Sequence, residues 1–435
     1  MTAQPPPSAG GDRARPGTTT GRWVVVFADV EADHTSALGA FPGVTSIADS
    51  REFSDGAVDT AQTAGADATV FAELGIAVVR AAPADSTALG RARERGVLSV
   101  SPELVHHLLT DRLPADRLPD PAYVRGYRDG VDDLAARLLP GGAGPAAAPR
   151  WADTAEATWG LQATRVLSSP ATGRGVRVAV LDTGLDLGHP DVAGRDVTAQ
   201  SFVAGERAQD GQGHGTHCAG TACGPLVPQT GPRYGVAHGA ELLVGKVLGD
   251  DGSGTDAGIL AGIDWAVRSG CAVVSMSLGA DVPQVHPPYT TAGRRALDRG
   301  TLLVAAAGNN AEREGGGQGF VGPPASSPYV MAVAALDPSL GVTDFSARTL
   351  LDTRGGQVDV AGPGLDVLSA WLAPERYATL SGTSMATPHV AGLAALWAEQ
   401  TGLRGRELWA TLLMESERLT AASLDVGGGL VLAPQ

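Results

Sequence analysis

Three polar residues stand where apolar segments begin or end. Asp182 closes "VRVAVLD", His214 sits between glycines in "DGQGHGTHCAG", and Ser384 opens "SGTSMATPHVAG". A carboxylate, an imidazole and a hydroxyl are what acyl transfer requires. The serine attacks a carbonyl, the histidine takes its proton and passes it to the leaving group, and the aspartate fixes the tautomer and steadies the imidazolium. Each residue also has a plainer reading. Asp182 could cap a turn, and His214 with His217 could ligate a metal together with His189 or Asp191, although a zinc site needs at least a third well-spaced protein ligand. Ser384 could be a helix N-cap, which accounts for one hydroxyl but not for the small residues around it.

Those three residues need elements to hold them. Val390, Leu393, Ala394 and Trp397 recur at i, i+3, i+4 and i+7, which predicts a helix with one buried stripe. Ser384 then lies at its N-terminal end, where free N–H groups and the dipole favour negative charge. Gly382 leaves room for a substrate backbone, and Pro388 belongs near the helix start. From Trp151 onward, apolar runs ("VRVAVLD", "AELLVGKVL", "CAVVSMSLG", "GTLLVAAAGN", "YVMAVAALD") alternate with helical stretches such as "DAGILAGIDWAVRSG". Such alternation predicts an α/β architecture with a mainly parallel sheet covered on both faces. In open sheets of this kind ligands bind beyond the carboxyl ends of the strands, where Asp182 falls.

Upstream the texture differs. Residues 1–20 read as a disordered tail. Residues 21–110 read as a small α+β unit, with a strand at "RWVVVFADV", one or two strands in "DATVFAELGIAVVRA", a short helix at "DSTALGRARER" and a final strand at "GVLSVSPELV". Residues 111–150 form a linker carrying one amphipathic helix over 122–139 and ending in the flexible "PGGAGPAAAP".

The 435 residues are 43% hydrophobic and 18% charged, which fits a folded protein with a large core. A net charge of -15 argues against nucleic acid or an anionic membrane as partner. Cys218, Cys223 and Cys271 are too few for a disulfide framework and are expected reduced. The N-terminus has no apolar leader segment, and no run is long enough to span a bilayer. A cytoplasmic location is therefore expected, with secretion by another route as the alternative.

The order Asp…His…Ser is that of subtilisin and differs from the chymotrypsin and α/β-hydrolase orders. "VLDTGLDLGHPD", "GHGTHCAG", "AAAGNN" and "GTSMATPHVAG" occur in sequence, and the region 151–435 resembles the subtilisin-like serine proteases. The resemblance implies a three-layer fold and a serine endopeptidase acting on proteins or peptides, expected as a monomer and needing no cofactor for its chemistry. Transfer of the acyl group to an amine, or a silent binding scaffold, are the competing functions. By resemblance Asn309 supplies an oxyanion-hole amide beside the Ser384 backbone N–H. Ser277, Leu278 and Gly279 would line one wall of the main specificity pocket, Ala306, Ala307 and Gly308 the other, and Gly322 its floor. Small uncharged walls predict a large apolar side chain before the cleaved bond. Gly252 and Gly254 lie in the second substrate-flanking edge. Asp256 replaces an aromatic residue there, which predicts a more polar outer pocket that tolerates Lys or Arg. Cys218 resembles the thiol of the proteinase K branch and would pack beneath His214. Asp191 matches a structural calcium ligand, but the loop "TACGPLVPQTGPRYG" lacks Asn, Asp and Glu, so that site looks incomplete.

Residues 21–110 resemble, more weakly, the family's inhibitory propeptide, a ferredoxin-like α+β domain that would act on its own enzyme as an intramolecular inhibitor. Maturation would then cut between about residues 105 and 150, with Trp151–Val166 near the start of the mature enzyme.

Overall fold

The computed structural model describes residues 18–109, with gaps at 32, 40, 42, 54–57, 59–62, 64 and 81–85, and residues 149–435, with one gap at 352–354. The linker helix expected over 122–139 and most of the N-terminal tail lie outside the described residues.

The N-terminal part is built on strands β1 (Thr19–Phe27), β2 (Ile47–Asp49), β3 (Ala68–Phe71), β4 (Ile76–Val79) and β5 (Val97–Leu108). Their order is β5-β1-β4-β3-β2. Helix α1 (His34–Leu38) follows β1, and α2 (Ser86–Glu94) lies between β4 and β5. Apart from β2 at the edge, the described elements run strand, helix, two strands, helix, strand. The first strand starts at Thr19, two residues inside the segment read as tail. Strand alternation gives the sheet two faces. Val25, Phe27, Ala77 and Val79 pack with Leu38 and Ala92 of the two helices. Val24, Val26, Ile76 and Val78 face the other way, into the core of the rest of the chain.

The larger part centres on a parallel sheet of β6 (Arg177–Asp182), β7 (Val197–Ser201), β8 (Glu241–Lys246), β10 (Val273–Met276), β12 (Leu302–Ala306), β13 (Met331–Leu336) and β14 (Val360–Pro363). Their order is β14-β13-β12-β10-β6-β8-β7. Three short pieces complete the strands: β9 (Ser253–Thr255), β11 (Leu278–Gly279), and the hairpin of β15 (Val367–Ala370) with β16 (Tyr377–Leu380). The apolar runs are continuous because both faces are buried. Val178 and Val180 face a layer that contains helices α3 (His214–Cys223), α6 (Thr383–Thr401) and α7 (Gly405–Met414). Ala179 and Leu181 face α4 (Asp256–Arg268) and α5 (Pro287–Asp298). Helices α4 and α5 are thus sandwiched between the parallel sheet and the N-terminal sheet.

Polar contacts fix that sandwich. Asp264 on α4 accepts from the backbone N–H groups of Glu73 (2.8 Å) and Leu74 (3.3 Å). Arg295 on α5 donates to the carbonyls of Phe27 (2.6 Å), Ala28 (3.1 Å), Gly75 (3.0 Å) and Leu74.

Helix α6 departs from the expected single stripe. Val390, Leu393 and Ala394 are buried as read, but so are Ala391, Gly392, Ala395 and Leu396, while Trp397 is only partly covered. The helix runs through the middle of the molecule, so nearly all of its surface is core.

Candidate active site

Asp182 ends β6 in the sheet interior, and its Oδ1 accepts from His214 Nδ1 at 2.7 Å and from the Thr183 backbone N–H at 2.8 Å. His214 is the first residue of α3, which has no side-chain cap on Gly213. Asp210 does that work. It accepts from the N–H groups of Gln212, Gly213 and Thr216 at 2.9, 2.8 and 2.9 Å and from the Thr216 hydroxyl at 2.7 Å. Thr183 in turn donates to Asp210 and accepts from the Gly215 N–H, which ties the end of β6 to the start of α3. A Cβ on Gly215 would lie 2.3 Å from the Gly184 carbonyl, so only glycine permits this approach. Buried Lys246 donates to the Thr183 carbonyl at 2.6 Å and to Asp250 at 2.6 Å, propping the same turn from behind.

Ser384 is the second residue of α6, and Gly382 takes the N-cap position, so the serine caps nothing. Pro388 lies further inside the helix than its start would require. Its missing N–H would otherwise bond the Ser384 carbonyl. That freed carbonyl accepts instead from the Ser277 hydroxyl at 2.7 Å and from the Cys218 thiol at 3.5 Å. The proline therefore anchors the serine to the cleft wall and to the layer beneath His214.

Burial alone would push the His214 imidazole down, but the adjacent Asp182 carboxylate more than offsets it and holds the ring well above its ordinary range. Burial raises the Cys218 thiol, whose sulfur lies 3.8 Å from His214 Nδ1. Asp182, His214 and Cys218 are the group of potential metal donors that converges among the described residues. The direct 2.7 Å hydrogen bond between carboxylate and imidazole leaves no space between them for an ion. The alternative metal set is not assembled: His217 Nε2–H goes to the carbonyls of Val367 and Ala378, and the His189 ring nitrogen pairs with the Arg376 carbonyl.

Between the two expected substrate edges runs the end of β5. His107 and Leu108 pair antiparallel with Gly279 and Leu278 of β11, while Val105, His106 and His107 pair with Thr255, Gly254 and Ser253 of β9. The Leu108 N–H also donates to the Gly252 carbonyl at 3.2 Å. The next residue, Leu109, brings its carbonyl oxygen to two of the sequence-selected groups. Asn309 Nδ2 donates to it at 2.7 Å, and the Ser384 hydroxyl lies against it. Asn309 is held amide-first because its Oδ1 accepts from the Thr383 N–H and hydroxyl at 2.9 and 2.8 Å. The Ser384 hydroxyl also lies 3.1 Å from the Ser277 carbonyl, and His214 Nε2 has no hydrogen-bond partner among the described residues. The Ser384 hydroxyl thus bonds the Leu109 and Ser277 carbonyls and not the His214 imidazole.

The Leu109 side chain packs toward Gly279, where an added Cβ would stand 2.9 Å from its Cδ1. Ala306 ends β12, and Ala307 and Gly308 follow it, all three buried. The Gly322 N–H reaches the Ala307 carbonyl, and the tight fit of Gly322 on the Ala280 carbonyl excludes any side chain there.

The surroundings of Asp191 and Asp256 bear on the expectations for both. Asp191 is surrounded by donors: the Gln229 N–H at 2.7 Å on Oδ1, and the hydroxyls of Tyr234 (2.6 Å) and Tyr377 (3.0 Å) on Oδ2. Three protons aimed at one carboxylate satisfy it without a cation, so these residues do not fit a calcium ion. Asp256 is fully buried and receives donors from the N-terminal strand, so it is not an open outer pocket for a long cationic side chain. Sequence reasoning passed over Asp210, Thr383 and the two tyrosines. Asp210 alone left a signal, as an aspartate just ahead of a helix start.

The Subtilase family model matches residues 173–429. Subtilisin Savinase from Lederbergia lenta is 42% identical over 242 residues, 55% of this chain and 82% of that protein. Thermitase from Thermoactinomyces vulgaris is 41% identical over 231 residues, 53% of this chain and 77% of that protein. M-protease from Shouchella clausii is 42% identical over 242 residues, 55% of this chain, and the aligned stretch spans 58% of its own length. The cytoplasmic expectation is corrected by these matches, because the relatives are secreted extracellular subtilisins. With Asp182 bonded to His214, and Ser384 and Asn309 meeting at one carbonyl, the match establishes that the chain belongs to the subtilase family of serine-type endopeptidases.

Proposed function

We propose that this endopeptidase is made as a self-inhibited precursor and that the first bond it cuts is its own, between Leu109 and Thr110. One observation carries the reading: the Leu109 carbonyl oxygen meets both the Ser384 hydroxyl and the Asn309 amide. The Ser384 O–H swings from the carbonyls it now faces to His214 Nε2, which has no other partner among the described residues. The serine oxygen then bonds the Leu109 carbon. The proton moves to His214, whose charge Asp182 steadies, and the oxyanion is met by Asn309 Nδ2 and the Ser384 N–H. Collapse breaks the C–N bond, and His214 gives its proton to the Thr110 nitrogen. Water, deprotonated by the same imidazole, releases Leu109 as a carboxylate. No cofactor takes part.

Leu109 supports a preference for a large apolar side chain before the cleaved bond. The N-terminal unit inhibits by occupying both substrate edges and by packing on α4 and α5, and it remains in place after the cut until it dissociates. The test compares the full chain with its Ser384→Ala variant by intact-mass spectrometry. The wild type should yield a fragment ending at Leu109 and a product beginning at Thr110, with activity on casein; the variant should stay whole and inactive. Cleavage of the variant at that bond, or a wild-type cut elsewhere, overturns the reading.

A further inference from the structure

Beneath β5, three residues before Leu109, a buried polar cluster remains that the reaction does not use. Asp256 begins α4, while His286 and Tyr289 begin α5, and all are buried. Asp256 Oδ1 accepts from His106 Nε2 at 2.7 Å and from the Tyr289 hydroxyl at 2.8 Å. Its Oδ2 accepts from His286 Nε2 at 2.8 Å and from the Leu104 backbone N–H at 2.7 Å. The His106 and Tyr289 rings meet edge to face, with centroids 5.5 Å apart. Burial works against the Asp256 anion, and the hydrogen bonds from His106 and His286 override it, holding the carboxyl below its usual range.

Two of the four donors belong to the catalytic part and two to β5. When β5 leaves, Asp256 keeps His286 and Tyr289 and loses His106 and Leu104. Any replacement must bring a planar N–H to the depth of an imidazole, plus a backbone N–H two residues earlier. A phenylalanine fills the ring space but leaves a buried carboxylate oxygen short of a proton, a mismatch that sites built for a hydrogen bond penalise. Lysine and arginine carry their donors on longer stems, beyond a carboxylate that sits at ring depth.

We propose that Asp256, His286 and Tyr289 form a histidine-selective subsite for the fourth residue before the cleaved bond, making Asp256 a specificity-determining residue. The proposal rests on the proteolytic reading of the same cleft. The mature enzyme is assayed on peptides with six residues ahead of the cleaved bond, leucine immediately before it, and His, Phe, Ala, Gln or Lys at the fourth place. His peptides should be cleaved at least tenfold faster in kcat/KM than each of the others, about 1.4 kcal/mol in transition-state binding. Asp256→Asn should reduce that ratio below twofold. If Asp256→Asn does not mature, Tyr289→Phe keeps the carboxylate and leaves the substrate imidazole as the one side-chain donor on Oδ1, so the His-to-Ala ratio should rise; an unchanged ratio overturns the subsite. Equal cleavage of all wild-type peptides overturns the histidine subsite and leaves the endopeptidase standing. Cleavage of none overturns the reading beneath it. A His preference that persists in Asp256→Asn shows that another group makes the selection.

Discussion

Asp191 allows a sharp test, because tyrosines have taken the place of an ion. Tyr234 is buried and donates its hydroxyl to Asp191 Oδ2 at 2.6 Å, with Tyr377 as the second donor on the same oxygen at 3.0 Å. Tyr234→Phe removes one donor and keeps the ring, so packing hardly changes. A hydrogen bond to a charged group contributes about 1.5–3 kcal/mol, and the remaining donor on Oδ2 places the loss near the middle, about 2 kcal/mol. For a domain of this size that lowers the midpoint by roughly 4–8 °C. Thermal unfolding is followed in the Ser384→Ala background, which prevents self-digestion, once with millimolar calcium and once with a chelator. The Tyr234→Phe shift should appear in both, and Asp191→Asn should leave any calcium response unaltered. If calcium stabilises the parent chain and Asp191→Asn abolishes that gain, the carboxylate binds a cation and the donor argument fails.

Three further outcomes follow from the site. Thr383→Val removes one of the two bonds that aim the Asn309 amide; kcat should fall about tenfold, roughly 1.4 kcal/mol, with KM little changed, and an equal rise in KM would show a binding role. A mercurial should inhibit by wedging between Cys218 and His214, whereas Cys218→Ala should keep its activity and lose that sensitivity; inhibition of the alanine variant would place the target elsewhere. Burial holds His217 down at about 3 and His389 at about 4, so below pH about 6.5 the unfolded chain binds more protons. Their contribution is therefore complete above that pH and drains away toward pH 4, by about 1.4 kcal/mol per pH unit for each ring. His217→Gln in the Ser384→Ala background should flatten the acid limb of denaturant stability by that slope; parallel limbs would refute a neutral His217.

Much of this was legible in the letters. The strands of the parallel sheet announced themselves because both faces are buried, so their apolar runs are unbroken. Asp182, His214 and Ser384 stand out because each punctuates such a run with a polar residue near glycines, whereas Asn309 follows from the family resemblance alone. What escaped was held by contacts between distant segments. Asp210 and Thr183 join only when β6 and α3 fold together, and Tyr234 reaches Asp191 from a loop while Tyr377 reaches it from the start of β16. The depth of Asp256 could not be read because its partners come from the N-terminal strand and from α5, which no local pattern links. Pro388 looked like a start signal, yet its work is to release a carbonyl for Ser277 and Cys218. The loop near Asp191 reads as an incomplete calcium site, but the letters do not show that two tyrosine hydroxyls donate to that carboxylate.

Helix α4 opens without a cap of its own, since Thr255 offers no side-chain bond. Glu103 of β5 supplies the missing acceptor, taking the Ala257 N–H at 3.0 Å while Arg22 grips the same carboxylate. Departure of that strand bares a positive helix end at the rim of the groove. An acidic residue three places ahead of a histidine on an incoming strand would accept from the same N–H group, so this turn of helix is finished by whatever chain lies across it.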